Sequence, residues 1–182
     1  MEDNSIFMSE INKWIILDRL VDVIVGNCGG CIVEIGMGYS TLLLVKHACQ
    51  TSTTLYSCDI DPKKVRIKGE TNHVVFHGTS VDFMNQFKDK PSVVFIDGSH
   101  HYEVAKEEAD FFLEVLVPGG VMFFHDTFPP TSEYLQFTHC GDVYKLRHEL
   151  ENNPKLSCFT WPYTANSCGL TMVMKKPVCC VD

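Results

Sequence analysis

The chain has 182 residues, of which 45% are hydrophobic and 21% charged, the balance of a folded globular protein rather than a disordered one. A formal net charge of -8 argues against a general grip on nucleic acid, which takes a basic face. The length suits a single domain over residues 1–182, with a core large enough to stand without disulfide staples.

The first apolar stretch, Ile11 to Val25, is interrupted by Lys13, Asp18, Arg19 and Asp22. It is also shorter than the roughly 20 residues of a membrane span. An amphipathic helix is expected there, and no membrane. From Gly30 the pattern alternates. Gly30 to Gly36 reads as a strand, and Ser40 to Cys49 as a helix with Thr41, Leu44, Val45 and Ala48 on one face. Thr54 to Cys58 is the second strand, and Asp59-Ile60-Asp61-Pro62 stops it and opens a helix. His73 to His77 is the third, followed by a turn and cap at Gly78-Thr79-Ser80 and a helix from Val81 to Phe87. Val93 to Ile96 is the fourth strand, Tyr102 to Leu116 a helix, and Gly120 to Phe124 the fifth strand.

Strands and helices at this spacing predict an α/β fold with a mostly parallel sheet and helices on both faces. The remainder departs from that rhythm. Thr127 to Gly141 is irregular and rich in proline and aromatic residues; a helix follows from Asp142 to Glu151. Lys145, Arg147 and His148 are expected on its solvated face. Cys158 to Tyr163 and Gly169 to Lys175 then read as an antiparallel hairpin.

Nine cysteines, an odd count without a signal peptide, point to a reducing, cytoplasmic setting. Cys28-Gly29-Gly30-Cys31 has the spacing of a redox or zinc motif. It precedes a strand instead of opening a helix and has no second pair, so a structural or incidental role is expected. Cys179-Cys180 reads as tail.

In an open α/β sheet, ligands bind beyond the carboxyl ends of the strands. Those ends carry Glu34 to Gly38, Asp59 and Asp61, Gly78 to Ser80, Asp97 to His100, and His125-Asp126. Gly36 and Gly38 allow a ligand to approach the backbone, since glycine has no Cβ. A dinucleotide fingerprint would place a third small residue where Thr41 stands, which disfavours a nicotinamide enzyme without removing it as a rival. A non-catalytic cofactor- or partner-binding module is the second rival. Asp59 is placed to accept the hydroxyls of a ribose, and Asp61 to cap a helix.

Val33-Glu34-Ile35-Gly36-Met37-Gly38, Asp59, Gly78-Thr79-Ser80, Leu116-Val117-Pro118-Gly119-Gly120 and the terminal hairpin, taken in order, resemble a class I S-adenosylmethionine-dependent methyltransferase. The stretch from Ile96 to Asp126 is similar to the small-molecule O-methyltransferase branch that includes macrocin-type sugar enzymes. The resemblance spans Ile32 to Lys175. It implies a Rossmann-like, doubly wound, seven-stranded sheet, with a cofactor core over 30–126 and a substrate side over 127–182. S-adenosylmethionine would lie against Glu34, Gly36, Gly38, Asp59, Ser80 and Asp97. Asp82 would either assist at the adenine or cap its helix. The acceptor would be a hydroxyl of a small molecule, with a sugar as one candidate.

In the metal-dependent relatives two acids at the ends of strands four and five hold a cation; here these are Asp97 and Asp126, on strands about 4.8 Å apart. An acid usually precedes the second aspartate, and here that residue is His125. Imidazole suits transition metals better than Mg²⁺, so Mg²⁺, Mn²⁺, a zinc-like ion or no metal all stay open. His100, three residues after Asp97, takes the place of the relatives' catalytic base, and an imidazole with a pKa of about 6.5 can accept a hydroxyl proton. His101 is expected only to start a helix. Phe128, Pro129, Pro130, Tyr134, Phe137 and His139 occupy the position of a substrate lid, and since small enzymes of this kind often borrow a lid from a partner chain, a homo-oligomer stays open.

Overall fold

The computed structural model describes residues 4–62, 72–162 and 168–177, with side chains from Ile15 onward. The helix expected after Pro62, the strand position of Tyr163 and the Cys179-Cys180 tail lie outside the described residues. The elements are α1 (Asn4–Cys28), β1 (Cys31–Ile35), α2 (Tyr39–Gln50), β2 (Leu55–Asp59), β3 (His73–His77), α3 (Ser80–Gln86), β4 (Pro91–Ile96), α4 (Tyr102–Val115), β5 (Val121–His125), α5 (Tyr144–Asn152), β6 (Leu156–Trp161) and β7 (Leu170–Lys175).

The seven strands form one sheet in the order β3-β2-β1-β4-β5-β7-β6. Strands β1 to β5 are mutually parallel, and β7 runs antiparallel between β5 and β6. Chain order reverses between β1 and β4, and a crevice opens at the carboxyl ends on either side of such a switch. The expected Rossmann-like α/β sheet with its terminal hairpin is what the chain adopts.

Alternation along the strands divides the core. Val33, Ile35, Val94, Ile96, Met122 and Phe124 face one way, against Phe83 and Met84 of α3, Phe112 of α4 and Leu146 of α5. Ile32, Val93, Phe95, Val121 and Phe123 face the other, against Leu17 and Val21 of α1 and Leu44, Val45 and Ala48 of α2. Burying each such side chain contributes about 1.5–3 kcal/mol. These strands are apolar on both faces because helices cover both.

Buried polar side chains interrupt the pattern, among them His47 and Glu34. His47 on α2 is enclosed between helices, where its Nε2 meets Asp18 Oδ1 at 2.9 Å and its Nδ1 meets Asp22 of α1. Glu34 sits at the fully buried centre of β1. The helix α1 is longer than its apolar stretch suggested, but no described helix is long and apolar enough to cross a membrane.

Candidate active site

The loop from β1 to α2 is fixed from below and from both sides. Glu34 Oε1 accepts hydrogen bonds from the hydroxyls of Ser40 (2.6 Å) and Thr41 (3.0 Å), and Oε2 accepts one from Ser57 (2.7 Å). Burial pushes its pKa up to about 7, against those three hydroxyls, which favour the ionised form. Thr41 also accepts the Gly38 N–H at 3.0 Å. The residue that breaks a dinucleotide fingerprint thus joins the loop to Glu34.

Gly36 has φ +86°, and a Cβ there would stand 2.2 Å from the Asp97 carbonyl oxygen. Only glycine lets the end of β1 pass this close to the end of β4. Among the described residues nothing lies within 4 Å of a Cβ built on Gly38, so its bare face is open toward them.

Across the switch point lies a cleft of about 570 Å³, lined by Gly36, Asp59, Gly78, Ser80, Asp97 and Glu108 among others. Asp59 ties its two margins together. Its Oδ2 accepts the Met37 N–H at 2.7 Å, and its Oδ1 accepts the Asp61 N–H at 2.6 Å. Ser80 opens α3, but Thr79 is the cap: its hydroxyl accepts the Asp82 N–H (3.1 Å) and donates to Asp82 Oδ2 (2.7 Å). Asp82, expected either at the adenine or as the cap, instead holds the Thr79 cap from the first turn of α3. Glu108, on the buried side of α4, has no hydrogen-bond partner on either carboxylate oxygen among the described residues. Burial raises its pKa to about 7; Ser80 stands near enough to oppose the rise, though not in hydrogen-bonding geometry.

Beyond Asp97 the site becomes a chain of alternating acids and imidazoles. His125 Nδ1 lies 3.0 Å from Asp97 Oδ1 and 3.2 Å from Asp126 Oδ1, while His100 Nε2 lies 3.3 Å from Asp126 Oδ2. Burial opposes charge on His125, but the carboxylates of Asp97 and Asp126 outweigh it and push its pKa up to about 10. Burial alone would raise Asp126; the hydrogen bonds from His100 and His125 reverse that and hold it well below the usual carboxylate range. Asp126 itself has φ +58°, an unusual conformation for a residue with a Cβ. The hydrogen bond to Asp126 raises the pKa of His100 against burial.

His100 is held at its second nitrogen as well, 3.1 Å from the Phe137 carbonyl oxygen. The loop that carries it is locked from outside. The Asp142 N–H donates to the His100 carbonyl (3.0 Å), and Asp142 Oδ1 accepts the Tyr102 N–H (2.6 Å), capping α4 from another segment. Gly141 has φ +54°, and a Cβ there would meet the His100 carbonyl oxygen at 2.0 Å. His101 precedes α4 without a side-chain cap, as expected, and stacks on Phe137 at 3.9 Å between ring centroids.

A family model described as a methyltransferase domain matches residues 33–127, from within β1 to just past Asp126. The chain belongs to this methyltransferase family. No curated protein matches it by sequence. Among solved structures, the methyltransferase is similar to an O-methyltransferase from Bacillus cereus in complex with SAH, at 17% identity and TM-score 0.66, covering 97% of this chain and 92% of that one. It is similar to the SAH-bound methyltransferase PaMTH1 from Podospora anserina, at 15% identity and TM-score 0.65, covering 88% and 78%. The third is MycE, from the mycinamycin biosynthetic pathway, in complex with Mg and SAH, at 17% identity and TM-score 0.55; the match covers 80% of this chain but 45% of that one.

The methyltransferase therefore brings Gly36, Asp59, Ser80 and Asp97 to one cleft, with His100, His125 and Asp126 beside it. Three expectations need correcting. Glu34 does not line the cleft: it is wholly buried, and its carboxylate orders the loop beneath Gly36 and Gly38. His125 was expected beside the aspartates as a metal donor. Its Nδ1 instead bridges their carboxylates, and the donors that converge within 4.8 Å are Asp97, His100 and Asp126. Arg147 is not solvated; its guanidinium lies over the Phe128 ring, 4.4 Å from the centroid. Of the CxxC cysteines, Cys31 is buried in the core and Cys28 half-buried, and burial raises the Cys31 thiol to about 12. The Phe137 carbonyl, Gly141 and Asp142 escaped the sequence reading. Only Gly141-Asp142 carried a signal, a turn residue followed by a cap residue.

Proposed function

We propose that the protein transfers a methyl group from S-adenosylmethionine to a hydroxyl of a small molecule, with a sugar as the acceptor class. The observation that carries this reading is the cleft at the switch point, with the His100–Asp126 pair at its side. Gly36 and Gly38 would pass the methionine portion. Asp59 would accept the ribose hydroxyls with the lone pairs its two backbone bonds leave, and Ser80 would lie at the adenine. SAH in the Bacillus cereus and Podospora anserina structures, and mycinamycin VI in a MycE structure, support the cofactor and the acceptor class.

The acceptor oxygen attacks the methyl carbon in line with the sulfonium. The C–S bond breaks, its electron pair returns to sulfur, and S-adenosylhomocysteine leaves. His100 acts from its neutral form, with the Nδ1 proton donated to the Phe137 carbonyl and the lone pair on Nε2. The hydroxyl proton passes to Nε2, and the imidazolium so formed donates it to Asp126 Oδ2. Most of the acceleration comes from orientation within the cleft.

A divalent cation fits the cluster of Asp97, His100 and Asp126, whose donors lie within 4.8 Å of one another. It would supply an anchor for acceptor oxygens in place of its waters. It would also compete with His125 for both carboxylates. His100 cannot hold a cation through Nε2 and accept a proton there, so chelation separates the two roles.

Calorimetric titration with S-adenosylmethionine, S-adenosylhomocysteine and NAD tests the cofactor. Binding of the first two and not the third is expected; no binding of either would sink the reading. A panel of hydroxylated acceptors, sugars included, with a methyl-transfer readout tests the acceptor class, before and after chelation and readdition of Mg²⁺ or Mn²⁺.

A further inference from the structure

At the end of β5, Asp126 also belongs to a group that the methyl-transfer reading does not use. Its carboxylate, Cys140 Sγ and Cys168 Sγ all lie within 4.8 Å of one another. The three come from separate segments: a strand end, the close of the 127–141 loop and the approach to β7. Each is set by a tight turn. Asp126 has φ +58°, Gly141 follows Cys140 at +54°, and Gly169 follows Cys168 at +82°. These turns are packed without slack, since a Cβ on Gly169 would stand 2.4 Å from Phe128 Cβ and one on Gly141 2.0 Å from the His100 carbonyl. The backbone fixes both cysteines. The Cys140 N–H donates to the Tyr134 carbonyl (3.0 Å), and the Cys168 carbonyl accepts the Phe128 N–H (2.6 Å). Cys140 is buried and Cys168 half-buried, which leaves one side of the group accessible.

We propose that Asp126, Cys140 and Cys168 bind a thiophilic divalent cation of the zinc type. Thiolate donors select zinc over Mg²⁺ or Mn²⁺. A tetrahedral zinc ion with ordinary Zn–S and Zn–O lengths sets its donors roughly 3.5–3.8 Å apart, a spacing the 4.8 Å group can reach with small side-chain adjustments. Binding removes a proton from each thiol and releases it to solvent. A carboxylate has about four lone-pair sites, so Asp126 can serve the ion and keep its histidines. Three protein donors leave a fourth position open for water or an acceptor oxygen, as in catalytic rather than structural zinc sites. The site shares Asp126 with the group beside the cleft, but its two thiolates belong to it alone.

Cobalt titration of the reduced 182-residue chain tests it. Co²⁺ bound by two thiolates gives near-ultraviolet charge-transfer absorption, expected here to saturate at one ion per chain and to vanish when Zn²⁺ displaces it. Cys168→Ser should weaken binding roughly 100-fold, and Cys49→Ser, at an exposed cysteine, should leave it unchanged. Because Cys140 is buried and its variant can misfold, thermal unfolding gives the second measure: Zn²⁺ should raise the melting temperature of the parent protein and not that of Cys168→Ser. Absence of the thiolate band in the reduced protein overturns the proposal. So does a band that survives Cys168→Ser, which would assign the ion to other cysteines.

Discussion

His100 Nε2 stands 3.3 Å from Asp126 Oδ2, with its other ring nitrogen held by the Phe137 carbonyl. Three separate segments thereby aim one imidazole at the side of the cleft. Replacing His100 with Ala should lower methyl transfer about 10²–10⁴-fold. Affinity for S-adenosylhomocysteine should stay nearly intact, and added imidazole should restore part of the rate. Parallel loss of cofactor binding in calorimetry would instead make His100 a structural residue.

The two glycines of the first loop should separate by experiment. Gly36→Ala drives a Cβ to 2.2 Å from the Asp97 carbonyl and should destabilise the fold by about 2–4 kcal/mol in denaturant unfolding. Gly38→Ala meets none of the described residues within 4 Å, so its stability should stay within about 1 kcal/mol of the parent. Cofactor affinity should nonetheless fall at least about tenfold, the loss of about 1.4 kcal/mol, because the added methyl fills ligand space. Unchanged affinity in Gly38→Ala would remove that glycine from the site.

Glu34 links stability to pH. Its pKa is raised by burial from 4.5 in the unfolded chain to about 7 in the fold. The folded state therefore holds the proton more tightly between those values. The stabilisation is complete below about pH 4.5, declines as pH rises and is lost above about pH 7. Its size is of the order of 3 kcal/mol, at about 1.4 kcal/mol per pH unit. Unfolding free energy measured from pH 5 to 8 should fall less steeply in Glu34→Gln than in the parent. An identical slope would show that Glu34 is ionised throughout. Glu108, also raised to about 7 by burial, should behave alike in Glu108→Gln.

Asp142 caps α4 from another segment through its bond to the Tyr102 N–H. Asp142→Ala should cost about 1 kcal/mol in unfolding free energy and reduce transfer by loosening the His100 loop. Asp142→Asn, which keeps the accepting oxygen, should recover most of both. Full activity in Asp142→Ala would show that the loop is held without the cap.

The alternation of apolar runs with helical patterns determined the sheet, because strand faces and helix faces bury residues at different periods. Glycine and acid at successive strand ends likewise placed Gly36, Asp59, Ser80, Asp97 and Asp126 at one edge, since parallel strands all end on the same side. What each group does there was decided only in three dimensions. Glu34 and Gly36 stand two residues apart, yet one is sealed under the loop by hydroxyls from β2 and α2 and the other faces the cleft. His125 looked like a departure from a metal site; packed between two carboxylates, its Nδ1 bridges them. The Phe137 carbonyl, Asp142 and the pairing of Cys140 with Cys168 depend on contacts across separate segments. No local period encodes such meetings; they follow from how the 127–141 loop folds back over His100 and β7.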